Sequence, residues 1–160
     1  MNLSTQLHHG KPKRWKENIQ DLLLLLFRDV KIVLCCTTEK NFEGKIVVSL
    51  GNSSLSKNIQ VNEGDASLKT GLKGDPIISE IIEIERHLRV LEYSGGSLHI
   101  SGVSSKDGAD LIAKAKKKGL NVTAEAHVMN LCFDESEVLE FNTRFKTLPV
   151  YKKCRESIKH

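Results

Sequence analysis

The chain of 160 residues reads as an α/β protein built on parallel strands, and three observations predict this. Short β-branched runs alternate along the chain with longer helical patterns, in the order α-β-loop-α-β-α-β-α. The helical patterns carry their own start and stop signals at Pro76, Gly95-Gly96 and Gly119. Hydrophobic residues at 39% and charged residues at 28% are those of an ordinary globular domain, which excludes disordered and fibrous classes. Strands alternating with helices imply a parallel sheet with right-handed crossovers. Three parallel strands are few, because such a sheet normally has more strands and both faces covered. They would also expose two edges. The pattern therefore predicts part of a larger α/β fold.

Residues 1–15 are polar and basic and predict a flexible tail, with residues 16–160 as the folded unit. From Trp15 to Glu39 the chain reads as helix, in one or two segments. Its Leu22, Leu23, Leu26 and Val30 recur at helical spacing, and the run is apolar nearly all round. Lys45 to Leu50 is a β-branched run bounded by Gly44 and Gly51, hence a strand. Residues 51–75 are rich in Gly, Ser, Asn and Lys and read as one long loop, the kind that often carries function. Pro76 opens a helix in the first-turn position it favours. Ile77, Ile81, Ile84, Leu88 and Leu91 form its apolar stripe, and Glu85 and Arg89 stand four apart on its outer side. Ser97 to Ser101 alternates as a second strand, and Ser105 or its neighbour caps the next helix. Asp107 and Asp110 at its start, and Lys116, Lys117 and Lys118 at its end, complement the helix dipole. Asn121 to Ala126 is a third strand, followed by a short helix around Asp134–Phe141.

The net charge of +4 resides entirely in Lys11, Lys13, Arg14 and Lys16. The body is neutral, which argues against a nucleic-acid partner, because such a module needs a basic face on its folded part. Cys35, Cys36, Cys132 and Cys154 form no CxxC pair and predict reduced, packed thiols in a cytoplasmic protein. The apolar run Leu22–Phe27 meets Arg28, Asp29 and Lys31 at once. It is too short for a membrane span and sits too deep for a secretory signal.

Ligands of parallel α/β folds sit at the carboxyl ends of strands. In the second strand, Leu98 and Ile100 face the helices, and Ser97, His99 and Ser101 face the other way. His99 can there be a metal ligand, a base or a hydrogen-bonded structural histidine. Glu125 shares the corresponding face of the third strand, as ligand contact or structural ion pair, and His127 lies just past it. Asn62-Glu63-Gly64 offers an amide and a carboxylate near a strand mouth, or simply a turn. Gly71 to Pro76 leads into a helix whose N-terminus could hold a phosphate, though it lacks the Walker pattern.

Four segments, in order, are similar to the dihydroorotases of the cyclic amidohydrolase superfamily. They are Gly71-Leu72-Lys73-Gly74-Asp75-Pro76 with its acidic helix, Leu91 to Ser104 (LEYSGGSLHISGVS), Lys114 to Glu125 (KAKKKGLNVTAE), and Phe141 to Pro149 (FNTRFKTLP). The resemblance implies part of a (β/α)8 TIM barrel, about its fifth to seventh strands. It also implies a zinc-dependent hydrolase that interconverts carbamoyl-aspartate and dihydroorotate in pyrimidine biosynthesis. Carried over residue by residue, it places His99 on a zinc-binding histidine and the second single histidine near Asn62. The HxH pair, the bridging lysine or acid and the catalytic Asp of that family find no counterpart here, so no catalytic residue is assigned. Because a catalytic zinc takes about three protein ligands, the expectation is an incomplete barrel with little or no activity alone. Its partner is expected to be a small-molecule substrate, with a homo-oligomer or pairing with a complete subunit. The alternatives are a non-catalytic partner or scaffold subunit, and a self-contained ligand-binding module using residues 51–75.

Overall fold

The computed structural model describes residues 45–51 and 55–153. The expected basic tail, the helix of residues 15–39, Cys35, Cys36 and Cys154 lie outside the described residues. Strands β1 (Ile46–Ser49), β4 (Leu98–Ser101) and β5 (Val122–Ala124) form the main sheet, in the order β1-β4-β5. Both pairings are parallel, with Val47 beside His99 and His99 beside Thr123. Helix α2 (Ile77–Ser94) lies between β1 and β4 in the chain, and α3 (Lys106–Lys117) between β4 and β5.

Alternation along each strand divides the sheet into two faces. Val48, Leu98, Ile100 and Val122 pack with Ile84 and Leu91 of α2 and Ile112 and Ala115 of α3 in one core. Each of these Val, Leu and Ile side chains contributes roughly 1.5–3 kcal/mol by leaving water. The helices approach closely at Gly108, where a Cβ would stand 2.7 Å from Ile84 Cδ1. On the opposite face lie Val47, His99, Thr123 and Glu125. Val47 remains 66% exposed there, so that face is open among the described residues.

The buried side of α2 is rotated from the expected stripe. Glu80, Glu83, Ile84, His87 and Leu91 are buried, whereas Ile77, Ile81 and Leu88 are only half-buried. Polar residues thus occupy inward positions. Pro76 is the residue before the first turn rather than in it, with extended ψ of 135°. Arg89 pairs with Glu92 at 3.2 Å rather than with Glu85, a surface pair worth at most about 1 kcal/mol. Ser105 caps α3 as expected, its hydroxyl accepting from Gly108 N at 3.1 Å.

Residues 51–75 do not form one irregular loop. They hold β2 (Val61–Asn62), α1 (Asp65–Thr70) and β3 (Gly74–Asp75), with β2 and β3 paired in parallel. Two-residue strands are too short for alternation to register in a sequence. A second core of Val61, Ala66, Val138 and Tyr151 forms around them. The Phe133, Phe145 and Tyr151 rings meet edge-on there at centroid distances of 5.2–6.2 Å. The expected helix at Asp134–Phe141 is a 3₁₀ turn, Glu135–Val138, and a helix α4 (Val128–Cys132) precedes it. Asp134 accepts from Ser136 N and Ser136 Oγ, a local bond that competes with a longer helix. Cys132 is free and exposed rather than packed.

Candidate functional site at the strand ends

The carboxyl ends of β1 and β4 open on a cavity of about 530 Å³, lined among others by Ser49, Asp75, Glu80, Ser101, Gly102 and His127. Its floor is built around two carboxylates. Glu80, one turn into α2, is 6% exposed. It accepts from Ser104 N at 3.1 Å, Ser105 N at 2.9 Å and Ser105 Oγ at 2.8 Å, and its second oxygen takes the Ser104 hydroxyl. The first turn of α2 thereby holds the loop that leads from β4 into α3. Asp75, at the end of β3, accepts from Ser56 Oγ at 2.7 Å and Ser79 Oγ at 3.0 Å on one oxygen. Its other oxygen meets Lys152 Nζ at 3.1 Å, and Lys152 is fully buried.

This disposes of the phosphate suggested for Gly71–Pro76. The N-terminus of α2 already has the Asp75 carboxylate beside it, bonded to Ser79. Asn62 does not reach the cavity. It is buried in the second core and donates to Glu135 Oε2 at 2.9 Å, and Glu63 is exposed in the following turn.

His99 is the second residue of β4, one step below the mouth, and does not line the cavity. Its Nδ1 lies 2.8 Å from Thr123 Oγ1 and its Nε2 lies 3.5 Å from Glu125 Oε2. Glu125 also accepts from Ser101 Oγ at 2.6 Å. That bond, reinforced by the neighbouring His99 and His127, holds the Glu125 carboxyl below its ordinary value of 4.5, against desolvation, which acts in the opposite direction. A depressed carboxylate stabilises the fold above its unfolded value, and that contribution is lost as pH falls through the lower folded value. In an NMR titration Glu125 should therefore protonate below 4.5. Ser101→Ala should move the midpoint upward, and an unmoved midpoint would show that the hydroxyl is not the cause.

His127 stands at the start of α4 and lines the mouth. Gly102 makes room for it. A Cβ on Gly102 would stand 3.3 Å from His127 Nε2, and its φ of +81° already disfavours a side chain. His99 and Glu125 offer two donors on the open face. No group of three or more His, Cys, Asp or Glu able to hold a metal occurs among the described residues. A catalytic zinc takes about three protein ligands and a water, so the described residues by themselves do not fit one.

The sequence points to His99, Glu125 and His127, of which only His127 lines the cavity. Glu80, Ser104 and Lys152 were not singled out, and Ser105 only as a helix cap. A signal for Glu80 existed, since it stands four before Ile84 on the same helical face. Lys152 gave none.

The fold of this sheet and its helices is that of part of a TIM barrel. The structure is similar to L-hydantoinase (dihydropyrimidinase) from Arthrobacter aurescens, with a TM-score of 0.68 and 20% identity over 82% of this chain and 30% of that one. It is likewise similar to a D-hydantoinase, with a TM-score of 0.66 and 16% identity over 80% of this chain and 29% of that one. In sequence the chain is dihydroorotase-like. It is 38% identical over 96 residues to the dihydroorotase of Syntrophus aciditrophicus, covering 60% of this chain and 22% of that protein. To the dihydroorotase of Caldicellulosiruptor saccharolyticus it is 36% identical over 110 residues, covering 69% and 26%. To that of Anaplasma phagocytophilum it is 40% identical over 90 residues, covering 56% and 20%. The chain thus spans about a fifth to a quarter of the length of the curated relatives it matches. No family model matches it. No helix among the described residues is long and apolar enough to cross a membrane.

Proposed function

We propose that residues 45–153 are the part of a cyclic amidohydrolase barrel that forms one side of its substrate mouth, and that the reaction served is that of a dihydroorotase. The observation that carries this reading is the 32–40% identity to curated dihydroorotases. The parallel β1-β4-β5 sheet and its mouth cavity agree with it. In this reading the substrate is a small cyclic amide of the pyrimidine pathway, and the chain works in the cytoplasm. A zinc ion, with His99 as one ligand, would polarise the amide carbonyl and activate water. The described residues do not complete its ligand set, so the remaining ligands are proposed to come from further strands. The 160-residue chain alone should then turn over no dihydroorotate beyond a His99→Ala control.

The test is complementation. The chain is co-expressed with a dihydroorotase lacking the aligned segment, and dihydroorotate turnover is measured with added zinc. Turnover by the pair, absent from either part, supports the reading. A stable complex without turnover overturns it in favour of a non-catalytic partner or scaffold, a role that the open sheet face with exposed Val47 also suits.

A further inference from the structure

We infer that His127 carries the proton between water and the ring nitrogen when a cyclic amide is opened at this mouth. The inference deepens the reading of the chain as part of a cyclic amidohydrolase and rests on it. Among the residues that line the cavity, Asp75, Glu80 and His127 are the ionisable ones. Each carboxylate is engaged on both oxygens. Asp75 takes the Ser56 and Ser79 hydroxyls on one oxygen and Lys152 Nζ on the other. Glu80 takes Ser104 N, Ser105 N and Ser105 Oγ on one oxygen and the Ser104 hydroxyl on the other. Passing a proton through either would break bonds that hold the loops of the mouth. His127 carries no such load. It makes no cap bond to α4, and among the described residues neither of its ring nitrogens takes part in a hydrogen bond. Its Nε2 stands over Gly102, where a Cβ would be 3.3 Å away.

Opening a cyclic amide adds water to the ring carbonyl carbon and breaks the ring C–N bond. One proton must leave the water and one must reach the departing nitrogen. Imidazole suits this work, because it takes up and releases protons near neutral pH and has an acceptor and a donor nitrogen. The neutral His127 ring takes a proton from the attacking water as the new C–O bond forms. The imidazolium then gives that proton to the ring nitrogen, which leaves with the electron pair of the C–N bond. The second proton of the water passes to solvent as the new carboxyl group ionises. His127 ends as it began. Between the two transfers Glu125 supplies a counter-charge. It stands two residues earlier, is held ionised by its bond from Ser101 Oγ, and interacts electrostatically with His127. The other titratable groups around His127 among the described residues are His99, 3.5 Å from Glu125, and Asp75 and Glu80 in the cavity wall.

The test uses the whole 160-residue chain in the complemented pair described above, with dihydroorotate as substrate. His127→Ala should lower kcat by about 10²–10⁴-fold, the usual worth of a general acid–base group, and leave KM close to that of the unsubstituted pair. His127→Gln, which keeps an amide of similar reach and cannot relay a proton, should be as slow. His127 is exposed, so neither substitution touches the core. Free imidazole should restore part of the rate to the alanine variant, and the restored rate should rise with pH as more of the added imidazole is neutral. Unchanged kcat in the alanine variant would overturn the inference and leave the cyclic-amide reading intact. A loss of kcat that imidazole does not relieve would also overturn it, since a structural role predicts that result. Absence of turnover in the unsubstituted pair would overturn both readings.

Discussion

Glu80→Ala is expected to destabilise the fold by about 3 kcal/mol, because a hydrogen bond to a charged group is worth roughly 1.5–3 kcal/mol and orphaned buried donors add their desolvation cost. The carboxylate gathers Ser104 N, Ser105 N and both serine hydroxyls. The hydroxyls can rotate to other acceptors, but the two N–H groups cannot, and Ser104 and Ser105 are fully buried. Water entering from the cavity limits the loss, since Glu80 also lines it. Glu80→Gln keeps an acceptor in place and should lose about 1 kcal/mol, the worth of one ordinary hydrogen bond. Urea unfolding of the three proteins orders them. An alanine variant as stable as the glutamine one would show that the carboxylate does not hold the loop. Amide exchange should localise the alanine effect to residues 103–108.

Lys152→Met should cost more, about 3–5 kcal/mol, because removing one partner of a buried ion pair leaves an uncompensated buried charge. The Lys152 side chain is 1% exposed and the Asp75 side chain 9%, with Nζ 3.1 Å from Oδ2. Ser56 and Ser79 both bond to the other oxygen, so they cannot replace the ammonium. The double replacement Asp75→Leu with Lys152→Met should recover much of the loss, since an apolar pair of similar volume is often neutral or better than a buried ion pair. The cycle of single and double variants in chemical denaturation measures the coupling. Additive losses would show that the two residues do not act as a pair. Lys152 adjoins Tyr151 of the second core, and its carbonyl accepts from Glu135 N at 3.3 Å. Breaking the pair should therefore loosen residues 150–153 together with the 3₁₀ turn at Glu135–Val138.

The elements around the site differed in how plainly the sequence announced them. Strand β4 was legible because Leu98 and Ile100 alternate with His99 and Ser101, and the structure buries that first pair and leaves the second half-open. Helix α3 was legible because its cap and its basic last turn are local signals. The stripe of α2 was misplaced because apolar positions were counted and Glu80 and His87 were not, although tertiary contacts bury both. Hydrophobic periodicity does not count buried polar residues whose donors lie elsewhere in the chain. Strands β2 and β3 were illegible because each has two residues.

By itself the sequence determined the alternation of strands and helices, the parallel sheet, and the outward set of His99, Ser101 and Glu125. These follow from local periods, caps and turn residues, which act over a few positions. The tertiary structure alone decided the floor of the mouth. Glu80 meets Ser104 across 24 residues and Asp75 meets Lys152 across 77. It also decided that His127, rather than His99, faces the cavity, because Gly102 leaves the space that the imidazole takes. No short-range pattern encodes such meetings. They arise where packed helices bring a carboxylate within reach of donors that burial has removed from water, and where unpaired charge in that setting is costly.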